Sequence, residues 1–392
     1  MIPVETAKRI VLEQLRPLPP VETPLAEALH LVLAEDVCAP EDLPPFDNSA
    51  MDGFALRAED LPGPLEVVGE LKAGDFSAPR LLPGQAIRIM TGAMLPVGAD
   101  AVLRFEDSIE EGQRVRATVS LRSGENVRRK GEDVHRGMVV LPKGLVLRPA
   151  HLGVLASLGI ARPLVHPRPR VAILSTGDEV VPFDQPLLPG QIRNSNTTIL
   201  EGLVKELDAV PVSLGIARDT KEAVLAKFEE ARQYDLFITS GGVSMGDYDF
   251  VGETAGEKGT VFFDAVAQQP GKPFTFGLLG GKPFFGLPGN PVSTMVTFTL
   301  YLKPALRRMM GYSELEAPSF PVKIEEAIPR RKVRRQFLRA ILDASPEGKV
   351  ARLTGPQGSG ILRSMAQADA LLVIPEGEGT LEAGTVVEAI AL

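Results

Sequence analysis

Apolar and polar positions repeat with two different periods along this chain, and the changes of period divide it. Residues 3 to 15 place Ile10, Val11 and Leu15 on one side at helical spacing, with Pro17 as the stop, which predicts an amphipathic helix. A second helical stretch is expected from about Leu25 to Leu33, before Pro40, Pro44 and Pro45 break the pattern. From about Phe46 to Val140 the runs are short: Leu65–Val68, Ala86–Met90, Ala101–Phe105 and Arg114–Val119, separated by Pro and Gly turns. They predict a compact β region. Residues 149 to 160 return to a helical pattern, expected to pack on the first helices and so make the β region an insertion.

Pro163 to Pro169 reads as a proline-studded linker. Beyond it, strand patterns at Val171–Leu174, Val210–Leu214, Leu236–Ile238, Val261–Phe263 and Phe274–Gly277 alternate with helical patterns at Ser195–Leu207 and Lys221–Arg232. A long helix follows from Pro291 to Met310. This rhythm predicts a doubly wound, mostly parallel α/β sheet with helices on both faces. After Gly311–Pro318 the period returns to two, at Val322–Ile324, Phe337–Ile341, Val350–Leu353 and Leu371–Ile374, which predicts a small C-terminal β domain. The expected fold class is therefore α/β plus β. Its expected parts are a helical/linker domain (1–45 plus 141–168), an inserted β domain (46–140), an α/β domain (169–315) and a C-terminal β domain (316–392). The chain shows no internal repeat and no low-complexity segment.

At 392 residues the chain exceeds one ordinary core, in line with several domains. A net charge of −8 argues against broad nucleic-acid or membrane-surface binding, while leaving room for a local basic pocket. The single Cys38 excludes an intramolecular disulfide and a multi-cysteine metal site, so a reducing, cytoplasmic compartment is the simplest expectation. Met1–Glu5 lacks the pattern of a signal peptide, and no run of about 18 apolar residues predicts a membrane span. His30, His135, His151 and His166 lack zinc-ligand spacing, so an oxygen-liganded ion is the expected metal.

Ligands of doubly wound sheets sit at the carboxyl ends of the strands. Two turns fall there. Thr239–Asp249 follows an apolar strand and turns on three glycines, which makes it a candidate phosphate cradle. Asp247 and Asp249 add hard oxygens where a phosphate-bound Mg2+ would need ligands. The segment is not a P-loop, because no Gly-Lys-Ser/Thr follows, and it lacks Gly-x-Gly-x-x-Gly. Ser175–Glu179 puts Asp178 and Glu179 after Gly177; these acids either hold a metal or substrate, or only complement a helix dipole. In Leu287–Ser293, Pro291 suits a first helical position and Asn290 a cap. Pro288 and Gly289 add a rigid loop able to meet a flat heterocycle. Lys272, in the Gln269–Pro273 turn, is an oxyanion partner or a solvated turn lysine.

The β region adds Phe46–Ala55 with Asp52, Met90–Ala93 with a hydroxyl at Thr91, and Arg128–Asp133 with three cations and two acids. Each alone reads as a solvated loop as readily as a site; together they add anion- and metal-binding groups. Arg330, Arg331, Lys332, Arg334 and Arg335 form a basic run, which the acidic balance makes a solvated loop or local anion contact rather than a nucleic-acid patch. Gln357–Gly360 is a glycine-rich polar turn of the same ambiguity. No Ser–His–Asp or Cys–His set is visible, since Ser244 and Ser293 have no histidine nearby in sequence.

Seven motifs, Phe46–Gly53, Met90–Ala93, Gly131–Asp133, Ser175–Glu179, Thr239–Asp249, Pro270–Pro273 and Leu287–Ser293, occur in an order that closely resembles the MoeA family, molybdopterin molybdenumtransferase. The family's animal relative is the E domain of gephyrin. The resemblance spans nearly the whole chain. It implies molybdenum insertion into adenylylated molybdopterin from molybdate, assisted by Mg2+, with release of AMP. It also implies an elongated homodimer whose active site lies between the α/β domain of one chain and the β domain of the other. A molybdopterin adenylyltransferase is the implied upstream partner.

Matched residue by residue, the resemblance implies catalytic roles for Asp52, Thr91, Asp133, Glu179, Asp249 and Lys272. It implies substrate contacts from Arg128, Asp219, Pro288, Pro291 and Ser359. The strand-end turns add Thr176, Gly177, Ser240, Gly241, Gly242, Ser244, Gly289 and Asn290 as substrate-cradle candidates, and Glu179, Asp247 and Asp249 are the expected metal ligands. One departure stands out. Many relatives carry a basic residue before the Pro-Gly-Lys turn, where this chain has Gln268-Gln269, which leaves Lys272 as the firmer oxyanion contact. Two rival readings are a molybdopterin adenylyltransferase, which usually comes as a shorter single domain, and a non-catalytic pterin-binding scaffold, against which the retained acids argue.

Overall fold

The computed structural model describes residues 1–75, 80–242, 250–345 and 348–392. The chain forms two compact units. One comprises Met1–Glu22, His30–Ala34 and Leu164–Leu392; the other comprises Thr23–Leu29 and Glu35–Pro163.

In the first unit, helix α1 (Val4–Glu13) buries Val4, Ala7 and Val11, a spacing of three and four that puts one stripe on the core. The central sheet is built from β1 (Arg170–Thr176), β2 (Val210–Ala217), β3 (Leu236–Ser240), β4 (Gly259–Ala265), β5 (Pro273–Leu279) and β6 (Lys282–Leu287). Helices α2 (Ser195–Glu206), α3 (Lys221–Ala231), α4 (Phe250–Lys258) and α5 (Pro291–Thr297) connect or follow them. Across the sheet the order is β2-β1-β3-β6-β5-β4. The first four strands run parallel, and β5 and β4 join antiparallel. Alternation along β1 shows why both faces need helices. Val171 and Ile173 pack with α1, α2 and α5, while Ala172 and Leu174 pack with Val224 and Phe228 of α3 and Val251 of α4. The expected doubly wound, mostly parallel sheet is thus present.

Five further strands, Ser319–Ile324, Arg335–Ser345, Gly348–Leu353, Ala370–Ile374 and Val386–Ala391, close into a barrel. Its interior holds Val322, Ile324, Leu338, Ala340, Leu372 and Val387, among others. Phe337 and Leu371 point the other way and belong to the core shared with α1 and α5. A short strand, Gln268–Gln269, adds in parallel to Arg335 and Gln336.

The second unit contains a six-stranded sheet in the order Ala101–Arg104, Gly53–Leu56, Gln85–Ile89, Leu65–Leu71, Arg114–Ala117, Ser108–Glu111. Phe54 and Leu56 fill one face and Ala55 the other, so Gly53–Leu56 is buried throughout. Helix Pro149–Ser157 lies in this unit, where Leu25 donates its backbone N–H to the Ala161 carbonyl just beyond that helix (2.9 Å).

Three local expectations are corrected. Leu25–Leu33 is not a helix: a single 3-10 turn, Leu25–Glu27, gives way to His30 with φ of 64° and then to strand Val32–Leu33. The Pro163–Pro169 stretch is not a bare linker. Its residues Leu164–His166 form a strand between Val21–Glu22 and Val32–Leu33, because the prolines stand at its ends and leave the ladder N–H groups intact. The helix from Pro291 to Met310 is broken by a π turn at Phe298–Leu302, just before Pro304, which has no N–H to continue the ladder. Among the described residues no helix is long and apolar enough to cross a membrane.

Candidate functional site

The chain leaves β1 toward β2 on one side and later returns to β3 on the other, so the carboxyl ends of β1 and β3 flank a topological switch point. A cavity of about 460 Å3 opens there. Ser175, Thr176, Gly177 and Glu179 come from the end of β1, Ser240, Gly241 and Gly242 from the end of β3, and Pro288–Pro291 from the end of β6. Asp219 and Pro273 complete the candidates that line it. The structure therefore joins motifs that stand more than a hundred residues apart in the chain.

The glycines create room. Gly241 has φ of 93°, and a Cβ on it would stand 2.9 Å from the Thr176 carbonyl oxygen. Its own N–H donates to the Leu287 carbonyl at 3.1 Å, and the Gly177 N–H donates to the Ala217 carbonyl at 3.4 Å. Of the glycines expected to cradle an anion, Gly241 thus has its N–H taken up by the fold, and Gly246 lies outside the described residues.

Anion-favouring groups come from elsewhere. Ser195 and Asn196, the first residues of the 12-residue α2, line the cavity together with Arg193. A helix start offers unsatisfied N–H groups and the positive end of the dipole. Asn194 caps α2 by accepting from the Thr197 N–H (3.1 Å), and Ser175 Oγ donates to Asn194 Oδ1 (3.1 Å), which locks the helix start to the end of β1. Asn196 Nδ2 donates to Ser240 Oγ and to the Gly289 carbonyl, both at 2.7 Å, which ties α2 to the other two strand ends. Sequence reasoning missed this Arg193–Asn196 run. Its signal was a polar stretch immediately ahead of an apolar-periodic helix. Two buried oxygens at the site, Thr176 Oγ1 and Asn196 Oδ1, have no hydrogen-bond partner among the described residues.

The acids are close enough to feel one another. Asp219 donates its backbone N–H to Asp178 Oδ1 at 3.3 Å. Burial, then the charges of Asp178 and Glu179, push the Asp219 carboxyl above its ordinary range. Glu179 and Asp219 are hard oxygen donors, the chemistry Mg2+ takes. Among the described residues no three His, Cys, Asp or Glu side chains converge as a metal cluster. Ser244, Asp247 and Asp249 lie outside the described residues.

Lys272 is half-buried beside Pro273 and is not itself in the cavity wall. Its neighbour Gln268 is fully buried, accepts from Tyr301 Oη at 2.6 Å and donates to the Pro270 carbonyl at 3.1 Å. Gln268 thus braces the turn and offers nothing to a ligand. Asn290 does not cap α5 with its side chain, as the sequence suggested; Pro291 does occupy the first turn, and Thr294 Oγ1 donates to the Pro288 carbonyl at 2.7 Å. Ser359 enters through its backbone, accepting from the Val292 N–H at 3.2 Å.

The Pro356–Ser359 loop is held by Arg339, a second residue that sequence reading missed. Its side chain is fully buried and donates to the Pro356, Gln357 and Gly358 carbonyls (3.1–3.2 Å) and to Ser364 Oγ (3.0 Å). Burial lowers its pKa below the ordinary guanidinium value, yet a guanidinium stays charged at any working pH. The basic run nearby is locally balanced. Lys332 pairs with Glu378 at 2.7 Å, and Arg335 with Glu5 at 2.5 Å and Glu376 at 3.6 Å.

Asp52, Thr91, Arg128 and Asp133 belong to the second unit. There the structure brings their three motifs together. Strand Asn48–Ser49 pairs with Val127–Arg128, and Ser49 exchanges backbone hydrogen bonds with Gly92 and Ala93. Asp52 Oδ1 accepts from the Thr91 N–H (2.7 Å) and Oγ1 (2.8 Å), which holds the Asp52 carboxyl below its usual range. Asp47 takes Arg129 and the Lys130 N–H at 2.7 Å each. Asp133 is exposed, with its N–H donating to the Leu43 carbonyl.

Comparison with known proteins fits this geometry. Family profiles match residues 2–159 (MoeA N-terminal region, domain I and II), 172–308 (probable molybdopterin binding domain) and 321–392 (MoeA C-terminal region, domain IV). The chain is 40% identical to molybdopterin molybdenumtransferase 2 of Mycobacterium tuberculosis, over 97% of each chain. It is 37% identical to the molybdopterin molybdenumtransferase of Haemophilus influenzae, over 99% of this chain and 98% of the other. The crystal structure of a MoeA protein from Pyrococcus horikoshii superposes with a TM-score of 0.86 at 35% identity, covering 100% of this chain and 99% of that one. With its strand-end cavity, its paired loop cluster and relatives of this similarity over full length, the chain belongs to the MoeA family.

Proposed function

We propose that this chain is a molybdopterin molybdenumtransferase: it binds adenylylated molybdopterin and molybdate, inserts molybdenum into the dithiolene and releases AMP. The observation that carries this reading is the switch-point cavity, where a helix start and Arg193 face the acids Glu179 and Asp219. A pyrophosphate suits the first pair of groups. The acids suit a divalent ion bound with it, and the Pro288–Pro291 wall suits a flat heterocycle.

The residues divide the work as follows. Arg193 and the α2 start hold the phosphates; Pro288–Pro291 form a rigid wall for the pterin; Arg339 fixes the Ser359 loop beside it. Lys272 serves as oxyanion contact for molybdate. Mg2+, held by Glu179 and Asp219 with Asp247 or Asp249, would neutralise charge on the leaving phosphate oxygens. A molybdate oxygen attacks the adenylyl phosphorus, the bond from that phosphorus to the pterin's phosphate breaks, and the attacking oxygen leaves with AMP as sulfur replaces it on molybdenum. Asp52, Thr91, Arg128 and Asp133 act in the same site through a homodimer, supplied by the second chain. The donor of substrate is a molybdopterin adenylyltransferase, and the compartment is the cytoplasm.

Incubation with adenylylated molybdopterin, molybdate and Mg2+ tests the reaction, and 18-O molybdate tests the attack. Labelled AMP is expected. Absence of AMP removes the reading, whereas unlabelled AMP removes only the attacking oxygen.

A further inference from the structure

Behind the Lys272 turn lies a buried hydroxyl that the site does not use directly. Tyr301, in the π turn Phe298–Leu302, is fully buried, and its ring packs on Phe274 with centroids 4.7 Å apart. A phenol in such a core needs a hydrogen-bond partner. Tyr301 Oη donates to Gln268 Oε1 at 2.6 Å; burial, then the charge of Glu5, raises its pKa, so it stays a donor. Held by its oxygen, the amide presents its nitrogen to the turn, where Nε2 donates to the Pro270 carbonyl at 3.1 Å. The turn leans on that nitrogen. Gly271 has φ of 89°, and a Cβ on it would stand 2.7 Å from both Gln268 Nε2 and Thr297 Oγ1. Pro270 and Pro273 lack N–H groups, so the turn has little backbone with which to fix itself. Val266 closes its base, donating its N–H to the Lys272 carbonyl (3.0 Å) and accepting from the Gln268 N–H (2.8 Å).

We propose that Tyr301 is a positioning residue for oxyanion binding: through Gln268 it sets the Pro270–Lys272 turn, and so the place of the Lys272 ammonium. The inference rests on the insertion reading above, in which Lys272 contacts molybdate. Tyr301 touches no reactant and acts only through the amide. Without its hydroxyl, Gln268 Oε1 becomes a buried acceptor with no donor, and the amide gains by leaving Pro270 for a new partner. The turn then loses the side chain that backs it, and a displaced Lys272 backbone carries its ammonium along on the side-chain stem. Packing alone does not account for the polar pair. Phenylalanine and methionine would fill the same core space with no amide or hydroxyl to desolvate.

The test is equilibrium dialysis of molybdate against the full chain, with AMP-release kinetics alongside, for wild type, Tyr301→Phe and the double variant Tyr301→Phe/Gln268→Met. Tyr301→Phe is expected to weaken the molybdate Kd and raise the molybdate KM by about 3- to 10-fold, the scale of one hydrogen bond. Its kcat and its KM for adenylylated molybdopterin should stay within about twofold of wild type, since neither depends on the oxyanion's grip. The double variant should regain thermal stability, having no unpaired polar atom at the site, yet keep the weakened Kd, because nothing then donates to Pro270. An unchanged molybdate Kd in Tyr301→Phe overturns the proposal, and so does a double variant that regains the wild-type Kd together with its stability. The wild-type reaction separates the two readings. AMP release with an unchanged Kd in Tyr301→Phe removes the brace and leaves insertion standing. Molybdate bound without AMP release, and bound more weakly by Tyr301→Phe, removes insertion and leaves the brace. A wild-type chain that binds no molybdate overturns the brace.

Discussion

The strand ends of the α/β sheet and the loop cluster around Asp52 carry the same kinds of residue in opposite states. At the strand ends, burial and then the neighbouring acids raise Asp219. In the loop cluster, Asp52 is satisfied by Thr91 and Asp47 by Arg129 and Lys130, and both carboxyls are held below their usual range. The first region crowds its acids, and the second pairs them with donors. Under the proposed function, the first binds and activates the substrate, while the second completes the site as a preformed surface.

The sharpest way to break that contrast is to remove charge in each region. Glu179→Gln and Asp219→Asn should each lower AMP release by about 10²–10³-fold, the scale of a lost electrostatic contact in a site, without loss of thermal stability. Thr91→Val, which leaves the Asp52 charge but removes one of its two hydrogen bonds, should cost turnover less. Equal effects in both regions would erase the distinction.

A smaller effect tests how the first region is held. Arg339→Ala leaves the Pro356, Gln357 and Gly358 carbonyls without their donor, so chemical unfolding should show a loss of roughly 3 kcal/mol, alongside weakened turnover. A variant as stable as wild type would mean that the loop is held by something else. The Gln pair sharpens the same point. Gln268→Lys places a charge where Tyr301 and Pro270 already use the amide, so it should be clearly destabilising, whereas half-buried Gln269→Lys should be tolerated. Tolerance of both would show that a basic residue fits the buried position.

The smallest effects are titrations, and they run in opposite directions. Asp52 is depressed, so its contribution to stability is present above the unfolded pKa and fades as pH falls through the lower folded value. Asp219 is raised, so the folded state favours its protonated form and stability is lost as pH rises from the unfolded value through the folded one. By NMR, Asp178→Asn and added Mg2+ should each move the Asp219 midpoint down, while neither moves that of Asp52. An Asp219 midpoint that ignores both would contradict the carboxylate crowding.

Much of this was legible along the chain, because strand–helix alternation and glycine turns are local signals. Phe237, Ile238 and the Gly241 turn declared a strand end before any fold was known. What was not legible depends on tertiary partners. Val32–Leu33 reads as helix until Leu164–His166 arrives to pair with it. Arg339 reads as one more exposed strand cation until three carbonyls from residues 356–358 close over it. The Gly241 N–H reads as a free donor until Leu287 takes it.

The most direct measurement is a crystal structure with adenylylated molybdopterin bound. Pterin density against Pro288–Pro291, with the pyrophosphate between Arg193 and Gly177, is the expected result. Ligand bound elsewhere, with the strand-end cavity left to solvent, would contradict the account.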